Sequence, residues 1–244
     1  TTKTRQLDKL RMENEKIRMR ADLLRSVSHD IRTPLTSIIG STSAVLDNPD
    51  LSLEDRRTLL QDVKQEAQWL IRVVENLLSI TRIGGDQAEL TTRPEPAEEV
   101  LAEAVQKAHK RLTDIQFTVN APDELLMVPM DATLIEQVLI NLMENAVLHA
   151  KGATEIELRI RRDGALARFS VLDNGEGIEP AVLPKLFEEM FPHAGELRGD
   201  GRRSMGIGLS VCMSIVRAHG GTMKAENRAT GGACVSFALP MGEE

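Results

Sequence analysis

Ser28-His29-Asp30-Ile31-Arg32-Thr33-Pro34-Leu35 lies inside a heptad repeat, and that placement decides how the front of the chain folds. Leu10, Ile17, Leu24, Ile31, Ile38 and Val45 recur every seven residues, with Leu7, Asn14, Ala21, Ser28, Leu35 and Thr42 as a companion series. These are the a and d positions of a narrow apolar seam, by which one helix packs on another. His29 falls one step past an a position, on the rim of the seam, where its ring meets solvent or another macromolecule. The plain alternative is a surface histidine; the neighbours argue for chemistry. Neutral imidazole is a nucleophile at neutral pH, and Asp30 is placed to hold one ring nitrogen so that the other presents its lone pair. Pro34 has no N–H, so the Asp30 carbonyl loses its helical partner and a bend is expected beside the histidine.

Working outward, the first helix is predicted over Leu7 to Asp47, stopped by Asn48-Pro49-Asp50. Ser52 caps a second helix with Glu54 and Asp55 in its first turn, and Gly84-Gly85 ends it. The second helix has its own stripe, Leu60, Ala67, Val74 and Thr81 alternating with Val63, Leu70 and Leu77. Two long antiparallel helices with narrow stripes cannot enclose a core alone. A second copy completes a four-helix bundle, so a homodimer is expected; the alternative is a monomeric hairpin packed on the rest of the chain.

The bulk properties fit this plan. With 244 residues the chain can hold two compact units. Only 2% of it is aromatic, with no Tyr and one Trp, so its cores must be aliphatic and rich in Met. A net charge of −7 argues against nucleic acid as the main partner. Cys212 and Cys234 are too few for a disulfide framework, which favours a reducing compartment. No run of 18 apolar residues and no signal peptide occurs. A chain that opens directly on heptads is expected to be cut from something longer.

Beyond the hairpin, Thr91 to Pro96 reads as a Pro-containing connector, followed by an α/β pattern. A helix is predicted at 97–112, strands near 115–120 and 125–129, and a helix at 132–149. A hairpin at 155–162 and 165–172 turns at Asp163-Gly164; a helix at 206–219 then precedes strands at 221–228 and 232–239. This order predicts a mixed sheet with helices on one face.

Three clusters in this part look as if they converge on one ligand. Asn141 and Asn145, in Asn141-Leu142-Met143-Glu144-Asn145-Ala146, share a helix face at i, i+4. Two stacked amide oxygens suit Mg²⁺, which takes hard oxygen ligands and shares them with phosphates; the alternative is a polar pair on a solvated face. Asp173-Asn174-Gly175-Glu176-Gly177-Ile178 follows an apolar strand, and a carboxylate there can accept from an exocyclic amine such as that of adenine. As a bare sequence it is also an ordinary turn. Ser204-Met205-Gly206-Ile207-Gly208-Leu209 opens a helix whose exposed N–H groups suit phosphate oxygens. The stretch before it, Pro192 to Arg203, has three glycines and the cations Arg198, Arg202 and Arg203, the composition of a lid.

Taken together, these motifs resemble those of the sensor histidine kinases of two-component systems, over nearly the whole chain. Ser28 to Leu35 matches that family's H box, Asn141 to Ala146 its N box and Asp173 to Gly177 its G1 box. Leu186-Phe187-Glu188 matches the F box, Gly206 to Leu209 the G2 box, and Gly231-Gly232 a further glycine pair. Ile135 to Ile140 and Ala218-His219-Gly220-Gly221 look most like the potassium-sensor branch. The resemblance implies an α+β fold: an N-terminal antiparallel helical hairpin forming a dimeric four-helix bundle, then an α/β sandwich of GHKL type. The domains would be a signalling helix at 1–20, a dimerisation and phosphotransfer domain at 21–85, a linker at 86–96 and an ATP-binding domain at 97–244.

The resemblance further implies that His29 attacks the γ-phosphate of ATP, Asp30 orients the ring and takes its proton, and Thr33 positions water for dephosphorylation of the partner. Asn141 and Asn145 would hold Mg²⁺ and Asp173 would read adenine. Gly175, Gly177, Ile178, Gly206, Gly208 and Leu209 complete the nucleotide-binding set. The implied partners are a second copy and a response regulator, and the implied place is the cytoplasmic portion of a membrane-anchored sensor.

Three positions depart from the family pattern. Leu148 stands where a lysine is usual, Pro192 where an arginine is usual, and Ser204 where the first glycine of the G2 box is usual. Each missing charge-assisted contact is worth about 1.5–3 kcal/mol. His149, Lys151, Arg202 and Arg203 are the candidates to compensate, and autophosphorylation is expected to be slow. A rival is a degenerate, phosphatase-biased scaffold that binds nucleotide with weak kinase activity. A gyrase- or chaperone-type ATPase fails because that kind uses a glutamate where Asn141 stands.

Overall fold

The computed structural model of the chain describes residues 31–84, 90–187 and 206–242. They fall into two compact units, Thr1–Glu75 and Asn76–Glu244.

In the first unit, helix α1 (31–47) runs unbroken through Pro34, which is buried. A turn at 49–50 leads to α2 (Leu53–Gly84), whose last residues from Asn76 on belong to the second unit. Ser52 starts α2 as expected: its Oγ accepts from the Asp55 N–H at 3.0 Å and bonds the Asp55 carboxylate at 2.6 Å. Large apolar side chains stay uncovered on these helices, among them Ile39 at 64%, Leu46 at 79% and Ile71 at 56% exposure. Among the described residues no helix is long and apolar enough to cross a membrane.

The second unit is an α/β sandwich. Strand β1 (Arg93–Pro96) pairs antiparallel with β3 (Met127–Met130) in a two-stranded sheet. A five-stranded mixed sheet has the order β2-β4-β5-β7-β6. Its strands are β2 (Gln116–Asn120), β4 (Glu155–Asp163), β5 (Leu166–Asp173), β6 (Thr222–Asn227) and β7 (Ala233–Pro240). The β2–β4 pair is parallel and the others antiparallel. Alternation of buried residues along β4 (Ile156, Leu158, Ile160) and β5 (Ala167, Phe169, Val171) turns an apolar face inward. Helices α3 (Ala97–His109), α4 (Ala132–His149) and α5 (Gly206–Ala218) complete the core, with Phe169 stacked on Phe237 at 4.8 Å.

Two expectations need correction. The connector expected at 91–96 is partly strand: β1 forms at 93–96 despite Pro94 and Pro96, because a two-stranded edge needs few N–H donors. Helix α3 stops at His109, three residues short of 112, where the Arg111 N–H closes a tighter i→i−3 turn onto the Ala108 carbonyl.

Two junctions bear on the site. Asp131 caps α4, its carboxylate accepting from the Leu134 N–H at 3.2 Å. Buried His219, just past α5, accepts from the Asp131 N–H through Nε2 at 3.0 Å, while Nδ1 faces the Ile215 carbonyl at 2.8 Å. That imidazole ties the end of α5 to the start of α4.

Candidate nucleotide site

Asp173 ends β5, and its side chain is 5% exposed. One carboxylate oxygen, Oδ1, accepts two backbone N–H groups, Gly175 at 3.0 Å and Ala233 at 3.2 Å. Oδ2 has no hydrogen-bond partner among the described residues. A buried carboxylate fixed through one oxygen presents the other as an oriented acceptor, which suits an exocyclic amine. Glycine is required next to it: at Gly232 (φ +85°) a Cβ would lie 2.0 Å from the Asp173 carbonyl oxygen. On the other side a Cβ on Gly175 would lie 2.7 Å from that of Ala150, so the loop packs on the end of α4. Asn174 fastens it to β4, accepting from the N–H groups of Thr154 and Glu155 at 2.9 and 3.1 Å.

Along α4, Asn141 is buried and Asn145 half-buried. The Asn141 amide is already engaged: its Nδ2 donates to Oδ1 of Asn76 at 2.9 Å, and its Oδ1 accepts from Nε2 of Gln137 at 3.0 Å. His149 and Lys151 are exposed at the end of the helix and just beyond it. At the start of α5, Gly208 is buried and Leu209 half-buried; Gly206 is its first residue. The loop that holds Asp173 also contains Gly177, at φ +84°, and half-buried Ile178.

Two domain families match in tandem. The His Kinase A (phospho-acceptor) domain covers 19–86, and the histidine kinase-, DNA gyrase B-, and HSP90-like ATPase domain covers 130–243. The chain belongs to the sensor histidine kinases. It is 38% identical over 97% of its length to the sensor protein KdpD of Clostridium acetobutylicum, and 34% identical over 98% to that of Escherichia coli. It spans 26% of the length of each of these relatives. The solved full-length ShkA in complex with AMPPNP is 25% identical, with a TM-score of 0.61, covering 91% of this chain and 46% of that one.

Within this histidine kinase fold the predicted residues divide cleanly. Asp173, Gly175, Gly177 and Ile178 share one loop, and Asn141 and Asn145 one helix. Thr33 is exposed on α1. His29, Asp30, Glu188, Pro192, Arg198, Arg202, Arg203 and Ser204 lie outside the described residues. Leu148, in place of the usual lysine, is 38% exposed.

Sequence reasoning missed Asn76, Gln137, Asn227 and Arg228. Arg228 donates from Nη1 to the Asp173 carbonyl at 2.7 Å, and the Asn227 amide bonds both the N–H and the carbonyl of Ile178. The one available signal was an Asn-Arg pair at a strand end ahead of Gly231-Gly232. Cys212 also lies against this site: its thiol is buried, donating to the Val138 carbonyl at 3.7 Å. Burial pushes that thiol up to about 12, outweighing the hydrogen bond with the Asn141 side chain that favours its charged form.

Proposed function

We propose that this chain is the core of an ATP-dependent protein-histidine kinase, autophosphorylated on His29 and passing the phosphoryl group to an aspartate of a response regulator. The observation that carries the reading is Asp173, a buried carboxylate held by two backbone N–H groups on a chain that also has a phospho-acceptor domain. Asp173 receives the adenine amine, with Gly175, Gly177 and Ile178 against the base. Gly206, Gly208 and Leu209 open α5 toward the phosphates, where N–H groups and the helix dipole favour negative charge. Arg202, Arg203, His149 and Lys151 supply the cations.

Mg²⁺ fits this site. The amide oxygens of Asn141 and Asn145 would hold it, with phosphate oxygens completing the set, once Asn141 Oδ1 is released from the Gln137 amide that donates to it at 3.0 Å. When bound, Mg²⁺ neutralises phosphate charge in the transfer. The chain's own residues do the rest. A nitrogen of the His29 ring attacks the γ-phosphorus, the bond to the β–γ bridging oxygen breaks, ADP leaves, and Asp30 takes the ring proton. Thr33, four residues after His29, positions water when the regulator is dephosphorylated.

The exposed apolar residues on α1 and α2 support a homodimer through the 21–85 region, with 1–20 as a signalling helix, 86–96 as the linker and 97–244 binding ATP. The chain would act on the cytoplasmic side of a membrane-anchored sensor. Chain labelled with γ-labelled ATP and then mixed with a receiver domain is expected to lose label to it. Leu148 favours a second reading, a nucleotide-binding scaffold with weak kinase activity. That protein binds ATP and takes up little label however long the incubation; the kinase binds ATP and labels fully, though slowly.

A further inference from the structure

The connection between β6 and β7 grips both ends of the loop at 173–178. At the near end, Arg228 Nη1 donates to the Asp173 carbonyl at 2.7 Å and the Ala233 N–H donates to Asp173 Oδ1 at 3.2 Å. At the far end, Asn227 Oδ1 accepts from the Ile178 N–H at 2.7 Å, and its Nδ2 donates to the Ile178 carbonyl at 2.7 Å. The carboxamide acts here as a short piece of strand, satisfying both backbone groups of one residue. Gly177 leaves room for it: a Cβ there would lie 2.8 Å from Asn227 Oδ1.

These contacts are made at the strand ends and are not part of the ladders. The β5–β7 ladder ends at the Leu172–Cys234 pair and the β6–β7 ladder at the Asn227–Ala233 pair. The turn also closes without either side chain, through backbone bonds from Arg228 to Gly232 at 2.9 Å and from Gly231 to Arg228 at 3.2 Å. So the two side chains contribute little to pairing strands and much to fixing one loop.

We infer that Asn227 and Arg228 are positioning residues for base recognition: they hold the 173–178 loop where the second oxygen of Asp173 faces an exocyclic amine. This rests on the reading of Asp173 as the base acceptor. Adenine offers an amino group to that oxygen, whereas guanine sets an oxo group at the same place, lone pairs against a carboxylate. Discrimination of this kind depends on the acceptor staying within a few tenths of an ångström of its position. A loop freed at one end keeps its residues and loses that register.

The test is calorimetric titration of the full chain with ADP and with GDP. The parent is expected to prefer ADP. Asn227→Asp keeps the acceptor for the Ile178 N–H and turns a second acceptor on the Ile178 carbonyl. Arg228→Met keeps the stem and removes the donor to Asp173. Each is expected to lower the ratio of ADP to GDP affinity about tenfold, equivalent to about 1.4 kcal/mol. Arg228→Lys, which retains charge and a donor, should restore part of the ratio, and replaces Arg228→Met if that variant does not fold. A lowered melting temperature with an unchanged ratio makes the residues purely structural and overturns the inference. A parent without preference for ADP overturns the Asp173 reading itself, and that result is seen before any variant is made.

Discussion

The carboxamides of Asn141 and Asn76 meet in a buried hydrogen bond of 2.9 Å, with the two residues 5% and 2% exposed. Mg²⁺ keeps most of its waters and takes few protein oxygens, so an amide this enclosed cannot serve a hydrated cation until its contacts open. The oxygen that would meet the cation accepts from Gln137 Nε2 at 3.0 Å, so Gln137→Ala, which frees it, is expected to lower the Mg²⁺ concentration at which half of the chain binds ATP. The change should be about fivefold, the value of one net hydrogen bond of about 1 kcal/mol. Nucleotide titrations at graded Mg²⁺ measure it. A raised requirement would mean instead that Gln137 holds the amide in its ligating orientation.

Asp173→Asn separates folding from recognition. The variant keeps an oxygen for the N–H groups of Gly175 and Ala233, and replaces the second oxygen by an amide donor. Facing an amine, that donor repels. ADP affinity should fall at least about tenfold, or about 1.4 kcal/mol, while the melting temperature moves by a few degrees at most.

Gly232→Ala should do the reverse and act on the fold. Its φ of +85° strains any L side chain, and the added Cβ would sit 2.0 Å from the Asp173 carbonyl oxygen. Strain of this kind costs about 1–3 kcal/mol before the clash is counted. Denaturant unfolding should show a loss above that range, with ADP binding lost alongside it.

Cys212 gives a pH signature. Its ordinary value of 9.0 is raised to about 12 in the folded chain. Between these values the native thiol keeps a proton that the unfolded one has lost. The stability it contributes is thus full below pH 9.0 and falls as pH rises toward 12. Melting temperatures from pH 8 to 10 should drop more steeply in the parent than in Cys212→Ala. In the native state an alkylating reagent should modify Cys234, which is half-buried, well before Cys212.

Much of this was legible in the sequence where local signals agree with tertiary packing. Helix α4 spans 132–149 both in the sequence pattern and in the structure, where Asp131 caps it ahead of a long apolar run. The β4–β5 hairpin followed from Gly164, which takes φ +62° in the turn. Strand β1 was hidden because Pro94 and Pro96 read as connector, and only its pairing with β3 makes them strand. Asp173 was visible as a carboxylate between an apolar strand and two glycines. Asn76 and Asn227 were not, since their partners lie 65 and 49 residues away and no local pattern marks such contacts. An Asn at a strand end looks like any turn residue until the loop it holds is known.

The central claim, phosphoryl transfer to His29, is tested most directly by incubating the chain with γ-labelled ATP and Mg²⁺. The account predicts label that is lost in acid, survives base, and is absent from His29→Gln. Label that withstands acid, or that persists in His29→Gln, would contradict it.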